Sequence, residues 1–258
     1  MRRALLLAAI LLFHREVLAH EPRPARHKLP RPAASATPEA SEEPSPAASP
    51  TPTPTPKPAR IVGKVMVEEK DGPKPGEGAV VFLEEIDPEL WSAPDTDDSP
   101  MITMQDKKFN PRVLPVLVEQ EVTFPNVDTI FHNVFSKSGK NTFDLGLYKN
   151  GKSKKHGFPE AGVVRIFCNI HPSMTGYVLV LQNPFWASVE SDGSYSIQNV
   201  PPGNWVVKVW HERGGEASKS LGVKAGGSAS ADFDLDARKY KVIPHKNKLG
   251  QDYSSEGY

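Results

Sequence analysis

Between Ile61 and Leu235 the chain is a succession of short apolar runs, rich in Val, Ile, Phe and Trp and broken by Gly, Pro, Asn and Asp. That is the pattern of β-strands joined by turns, and no long stretch with a 3.6-residue period interrupts it. In Val163-Val164-Arg165-Ile166-Phe167-Cys168, alternation puts Val164, Ile166 and Cys168 on one face. Trp205, Val207 and Val209 share a face in the same way, and Ala231-Asp232-Phe233-Asp234-Leu235 alternates again. Ile61–Val67 and Gly78–Leu83 read as a strand pair closed by the Gly/Pro-rich turn Asp71–Gly76. The prediction is an all-β chain, and residues 61–235 suffice for two small sandwiches sharing one body.

Outside that region the pattern changes. Met1-Arg2-Arg3, the apolar run Ala4–Phe13 and the small-residue end Val17-Leu18-Ala19 read as a signal peptide over residues 1–19. The apolar run is too short to span a bilayer, so the expectation is an exported protein, periplasmic or extracellular, with no membrane span after cleavage. Residues 20–60 are Pro, Ala, Ser, Thr and Glu with almost nothing to bury, which predicts a disordered, extended linker. Residues 237–258 are polar and basic without an apolar period, and read as a tail.

Chemistry concentrates in Cys168-Asn169-Ile170-His171-Pro172-Ser173-Met174, which holds the only cysteine of the chain. An exported protein with one cysteine cannot close an internal disulfide, and an unoccupied thiol is a liability there. The ligand set that stabilises copper in both oxidation states is trigonal His₂Cys with a weak axial Met. The loop carries three of those four groups, and His132, in Phe124-Pro125-Asn126…His132-Asn133-Val134, is the candidate for the fourth. Each residue alone is more often a packing residue; the signal is the set.

From about Met101 to Leu181 the chain resembles the cupredoxins, the blue-copper β-barrel family. The resemblance is carried by Phe109-Asn110-Pro111, by Phe124-Pro125-Asn126…His132-Asn133-Val134, and by Cys168-x₂-His171-x₂-Met174-x-Gly176-Tyr177-Val178. It implies a Greek-key β-barrel over residues 99–183, one copper ion cycling between Cu(I) and Cu(II), His132, Cys168 and His171 as equatorial ligands, and Met174 as the axial one. The three-residue step from His171 to Met174 matches the short-loop, amicyanin-like members. The turn Val118-Glu119-Gln120-Glu121-Val122 lacks the glycine usual there. Asn133 has two readings, a residue that locks the cysteine loop by hydrogen bonding or a turn residue that caps its own backbone. Pro172 is expected to cover the metal, leaving the edge of His171 as the electron exit.

The outer pieces resemble one carboxypeptidase-regulatory-like, Ig-like sandwich made of residues 61–98 and 184–236, with the barrel inserted. The carriers are Gly-x-Val…Gly-Ala-Val-Val-Phe-Leu and the continuation Asp192-Gly193-x-Tyr195-x-Ile197-x-x-Val200-Pro201-Pro202-Gly203. The alternative assigns residues 61–83 to the barrel. Pairing of strand 61–67 with 195–210 favours insertion, and pairing with 176–181 favours the alternative.

Lys and Arg balance Asp and Glu at 31 each, so net charge supports no nucleic-acid partner. Locally, Lys137, Lys140, Lys149, Lys152, Lys154, Lys155 and His156 face only Asp144. That run is either a basic docking face beside His171 for an acidic redox donor or acceptor, or a solvated loop. No His-x-His motif for further copper sites occurs, and no nucleophile accompanies His211-Glu212, so no enzyme activity is expected. The expected function is one-electron transfer through a type 1 copper; the alternative is a non-redox copper-binding or adhesion module.

Overall fold

The computed structural model describes residues 57–92 and 99–253. The residues read as a signal peptide, most of the Pro-rich linker and residues 254–258 of the tail lie outside the described residues. The described chain is all-β, with no α-helix and no helix long and apolar enough to cross a membrane. It opens with β1 (Ala59–Glu69), β2 (Gly72–Pro75) and β3 (Val80–Leu83). The middle holds β4 (Thr103–Gln105), β5 (Lys108–Asn110), β6 (Val113–Leu117), β7 (Glu121–Pro125) and β8 (His132–Ser138). It continues with β9 (Asn141–Tyr148), β10 (Ser153–Gly157), β11 (Gly162–Phe167) and β12 (Thr175–Leu181). The last part holds β13 (Trp186–Ser188), β14 (Ser194–Val200), β15 (Gly203–His211), β16 (Gly215–Val223), β17 (Ser228–Ser230) and β18 (Phe233–Asp236).

The first and last groups make one sandwich. The first half of β1 lies between β14 and β17, with Ile61 opposite Ile197 and Gly63 opposite Tyr195. Its second half lies between β2 and β18. Where the chain steps from β17 to β18, a Cβ on Gly63 would sit 2.1 Å from the Ala231 carbonyl oxygen, an approach that only glycine permits. The facing sheet runs β13-β3-β15-β16. Ile61, Val65, Val81, Leu83, Ile197, Val207, Val209 and Phe233 fill the space between.

One expectation is corrected. Ile61–Val67 and Gly78–Leu83 do not pair; they lie in opposite sheets. The turn residues supply their own strand β2 beside β1, and β3 crosses over to sit between β13 and β15. The physical reason is that β3 is apolar on both faces. Val81 and Leu83 point into the sandwich, while Val80 and Phe82 pack against the other module. A strand covered on both sides belongs in the middle of a sheet.

Residues 99–183 form the second sandwich. One sheet runs β6-β12-β11-β8-β9, with β6 and β12 parallel and the rest antiparallel. Facing it, the hairpin β4–β5 and the pair β7–β10 meet through bridges Met101–Thr123 and Met104–Asn126. Phe124, Phe158, Met104, Val164, Ile166 and Val178 fill its core. The outer face of β12, with Tyr177, Leu179 and Leu181, lies against Val80 and Trp210 of the first sandwich. The Tyr177 and Trp210 rings are 5.1 Å apart.

The turn before β7 meets its missing glycine with strain. Glu119 adopts φ = 64°, held there by its N–H donating to the Phe158 carbonyl. A left-handed backbone costs a side-chain-bearing residue roughly 1–2 kcal/mol. Glycine's greater freedom in the unfolded chain offsets roughly 0.5–1 kcal/mol of that. Glu119→Gly should therefore raise stability by about 0.5–1 kcal/mol, read as a higher urea midpoint with unchanged slope.

Candidate metal centre

The strand pattern carries the site. In β11, Val164 and Ile166 point into the core, and Cys168, one step past the strand end, continues on that side with no exposure. The loop then closes on itself: the Cys168 N–H donates to the Met174 carbonyl at 3.1 Å and the Met174 N–H to the His171 carbonyl at 3.0 Å. His132 opens β8, which pairs with β11, so the early imidazole arrives at the same barrel end as the late loop. His132, Cys168 and Met174 are buried, His171 is partly open, and Pro172 is exposed.

Cys168 Sγ lies 3.8 Å from His132 Nδ1 and 3.5 Å from His171 Nδ1, and the three donor atoms fall within 4.8 Å of one another. A trigonal ion with nitrogen at ~2.0 Å and sulfur at ~2.3 Å separates N from S by about 3.7 Å. The spacing thus fits a single soft metal ion between the three groups. Met174, at the end of the loop, lies in the same buried cluster as Cys168.

The tautomer of His132 also fits. Its Nε2 is 2.6 Å from Asp128 Oδ2, and a carboxylate accepts, so Nε2 carries the proton and Nδ1 presents its lone pair to the sulfur side. Asp128 is itself pinned by the N–H groups of Asp106 at 2.7 Å and Lys107 at 2.9 Å. Burial pushes its carboxyl up, but the Lys107 N–H, the His132 imidazole and the Asp106 N–H outweigh that and hold it below the usual carboxylate range. Asp128 is the residue that sequence reasoning missed. Its only signal was an acid four positions before a candidate ligand, in a stretch that reads as an ordinary turn.

Burial pushes the Cys168 thiol up, against the backbone N–H groups of Asn133, Ile170 and His171. Without metal it is a thiol, and metal binding must release its proton. His171 is pushed down chiefly by burial, with the Lys107 charge adding to it, so its imidazole is disposed to be a neutral donor.

The Asn133 side chain does not reach the cysteine loop. Its Nδ2 donates to Asp144 Oδ1 at 2.7 Å, and its Oδ1 is buried without a partner. Its backbone N–H is the group turned to the sulfur. The loop's outer side is held instead by the tail. Tyr253 Oη donates to the Cys168 carbonyl at 2.9 Å, and the Lys248 N–H donates to Asn169 Oδ1 at 2.8 Å. Burial pushes the Tyr253 phenol up to about 12, so it remains a donor.

The basic run is spread out. Lys137 and Lys140 lie towards the far end of the β8–β9 hairpin, five or more residues along the strand from His132, roughly 17 Å at the rise of an extended chain. Lys140 pairs with Glu160, Lys155 with Glu121, and Lys154 donates to the Leu145 carbonyl. Exposed apolar side chains gather on the metal end: Val127, Ile130 and Phe131 precede His132, and Leu147 stands opposite Asn133.

No family model matches the chain, and no curated protein matches it. Among solved structures it is similar to a purple cupredoxin from Nitrosopumilus maritimus, at 26% identity over 32% of this chain and 99% of that one, with a TM-score of 0.29. It is also similar to a variant of amicyanin in its reduced state, at 28% identity over 33% of this chain and 85% of that one, with a TM-score of 0.31. An oxidised amicyanin variant gives 25% identity over 34% and 87%, with a TM-score of 0.31. At these scores the ligand geometry, and not the likeness, bears the functional reading.

Proposed function

We propose that the chain is an exported one-electron carrier with a type 1 copper site, and not an enzyme. The observation that carries this reading is the facing of two imidazole Nδ1 atoms onto one buried thiol at the spacing of a trigonal ion. Copper, when bound, would supply the exchange between Cu(II) and Cu(I). His132, Cys168, His171 and Met174 would hold it. The strand-loop-strand frame keeps these groups in place before metal arrives, which limits rearrangement between the two oxidation states. Asp128 fixes the tautomer of His132, and the barrel core excludes water from the sulfur.

His171 is the ligand closest to solvent, so electrons would leave by its ring. The apolar rim of Val127, Ile130, Phe131 and Leu147 offers a redox partner a surface for close approach. Lys107, Lys149 and Lys152, which make no ion pair among the described residues, favour an acidic partner. The outer sandwich, by its resemblance to carboxypeptidase-regulatory-like modules, acts as a non-catalytic support. Adding Cu(II) to the purified metal-free chain tests the reading. The expected result is an intense thiolate-to-copper visible band at one ion per chain that bleaches with a reductant and returns with an oxidant. Colourless, irreversible or Cu(I)-only binding would overturn it in favour of a copper-binding module without redox work.

A further inference from the structure

The chain does not end with its last strand. After β18 it runs past Tyr177 and Trp210 along the outer face of the barrel sheet and reaches the metal end. There the His245 ring stacks on Phe167 at 4.5 Å between centroids, one residue before Cys168. Tyr253 caps the Cys168 carbonyl and stands 3.2 Å from His245 Nδ1. Lys248 spans the cysteine loop and strand β9, the neighbour of the strand that carries His132. Its backbone N–H holds Asn169, beside Cys168, and its Nζ is 2.7 Å from Asp144 Oδ2. Asp144 in turn accepts from Asn133, beside His132.

We propose that the segment His245–Tyr253 is a positioning element of the metal centre, with Tyr253 and Lys248 clamping the Cys168 side of the site to the His132 side. The clamp is polar. Leu249 within the segment and Val242 and Ile243 just before it are 74%, 79% and 76% exposed, so apolar burial does not hold it down. Its attachments converge on Asn169, on Asp144, which holds Asn133, and on the carbonyl of a candidate ligand itself. A tail that merely rested on the surface would scatter its contacts. The loop's own two backbone bonds join Cys168 to Met174 and Met174 to His171, and its direct link to Asn133 is that residue's N–H facing the Cys168 sulfur. The segment adds a second, side-chain tie through Lys248 and Asp144. The inference rests on the copper reading for its purpose, though not for its geometry.

The test uses the full-length chain, Tyr253→Phe, and a form ending at Pro244, which keeps Tyr240 on the core of the first sandwich. In metal-free protein, amide exchange at Ile170 and His171, whose N–H groups face the sulfur, should quicken about 2- to 12-fold in Tyr253→Phe, the factor for one ordinary hydrogen bond. It should quicken further in the shortened form, while amides of β1 and β15 keep their protection. With Cu(II) bound at equal content, the thiolate-to-copper band should move, and release to a chelator should speed by the same factor. Unchanged exchange and release in both forms would overturn the proposal. So would loosening spread equally over β1 and β15, since the segment would then be a general brace. If the full-length chain gives no thiolate-copper band, the copper reading fails, and the metal-free exchange still decides the clamp.

Discussion

Cys168→Ser should abolish the visible band while leaving the fold standing. The substituted side chain sits with no exposure between His132 Nδ1 and His171 Nδ1, at 3.8 and 3.5 Å from the present sulfur. A hydroxyl there can bond to one of those nitrogens, so burial of the new polar group costs the metal-free protein only about 1–2 kcal/mol. Serine offers copper no soft thiolate, and the charge-transfer transition that gives the colour disappears with it. Affinity for copper should fall by more than the roughly 10- to 100-fold that follows loss of a ligand's hydrogen-bonding partner. Spectrophotometric titration with Cu(II), run beside a urea melt of the metal-free form, separates the two effects. A variant that stays blue would show that the sulfur is not a ligand.

Asp128→Ala should damage both stability and metal binding. Three donors converge on that carboxylate: His132 Nε2 at 2.6 Å and the N–H groups of Asp106 and Lys107. The two turn amides can turn to water, because that turn is exposed. His132 cannot, being wholly buried, so its N–H is left without a partner at a cost of about 1–3 kcal/mol. Loosening of the turn adds to this, and a total near 2–4 kcal/mol is expected in a denaturant melt. Copper should bind roughly 10- to 100-fold more weakly, since nothing then fixes which ring nitrogen carries the proton. Asp128→Asn separates shape from charge. It keeps an acceptor for Nε2 and loses less stability, but it removes a negative charge that favours Cu(II), so the potential should rise.

Much of this site was written in the local chemistry of the chain. Val164, Ile166 and Cys168 share a face because side chains alternate along a strand, and the sequence alone shows that alternation. The Cys168–Met174 loop is short enough that its three donors cannot be far apart. His132 was reachable as a candidate through its residue type and its place at the start of an apolar run. Two features were not legible, for different reasons. Asp128 acts through a hydrogen bond made by a turn, and turns do not advertise which ring nitrogen they face. The stretch from His245 to Tyr253 has no apolar period because it is held by backbone N–H groups, a phenol and one stacked ring. Periodicity detects burial of apolar faces and is silent about such attachments. The mispaired strand has a third cause. Gly78–Leu83 carries β-forming residues on both faces, and such a run fits any sheet position until the second module that covers its back is known.

Strand β12 has its own lesson for interpreting variants. Val178 and Val180 line the interior of the sandwich that holds His132 and Cys168, while Tyr177, Leu179 and Leu181 abut the neighbouring one. A single strand is therefore shared wall to two compartments, and neither can melt without baring part of the other. Substitutions deep in the outer module can shift the colour or potential of the metal through this joint thermodynamic fate. Such distant effects would report a common unfolding equilibrium, and no signalling route between the modules need be invoked.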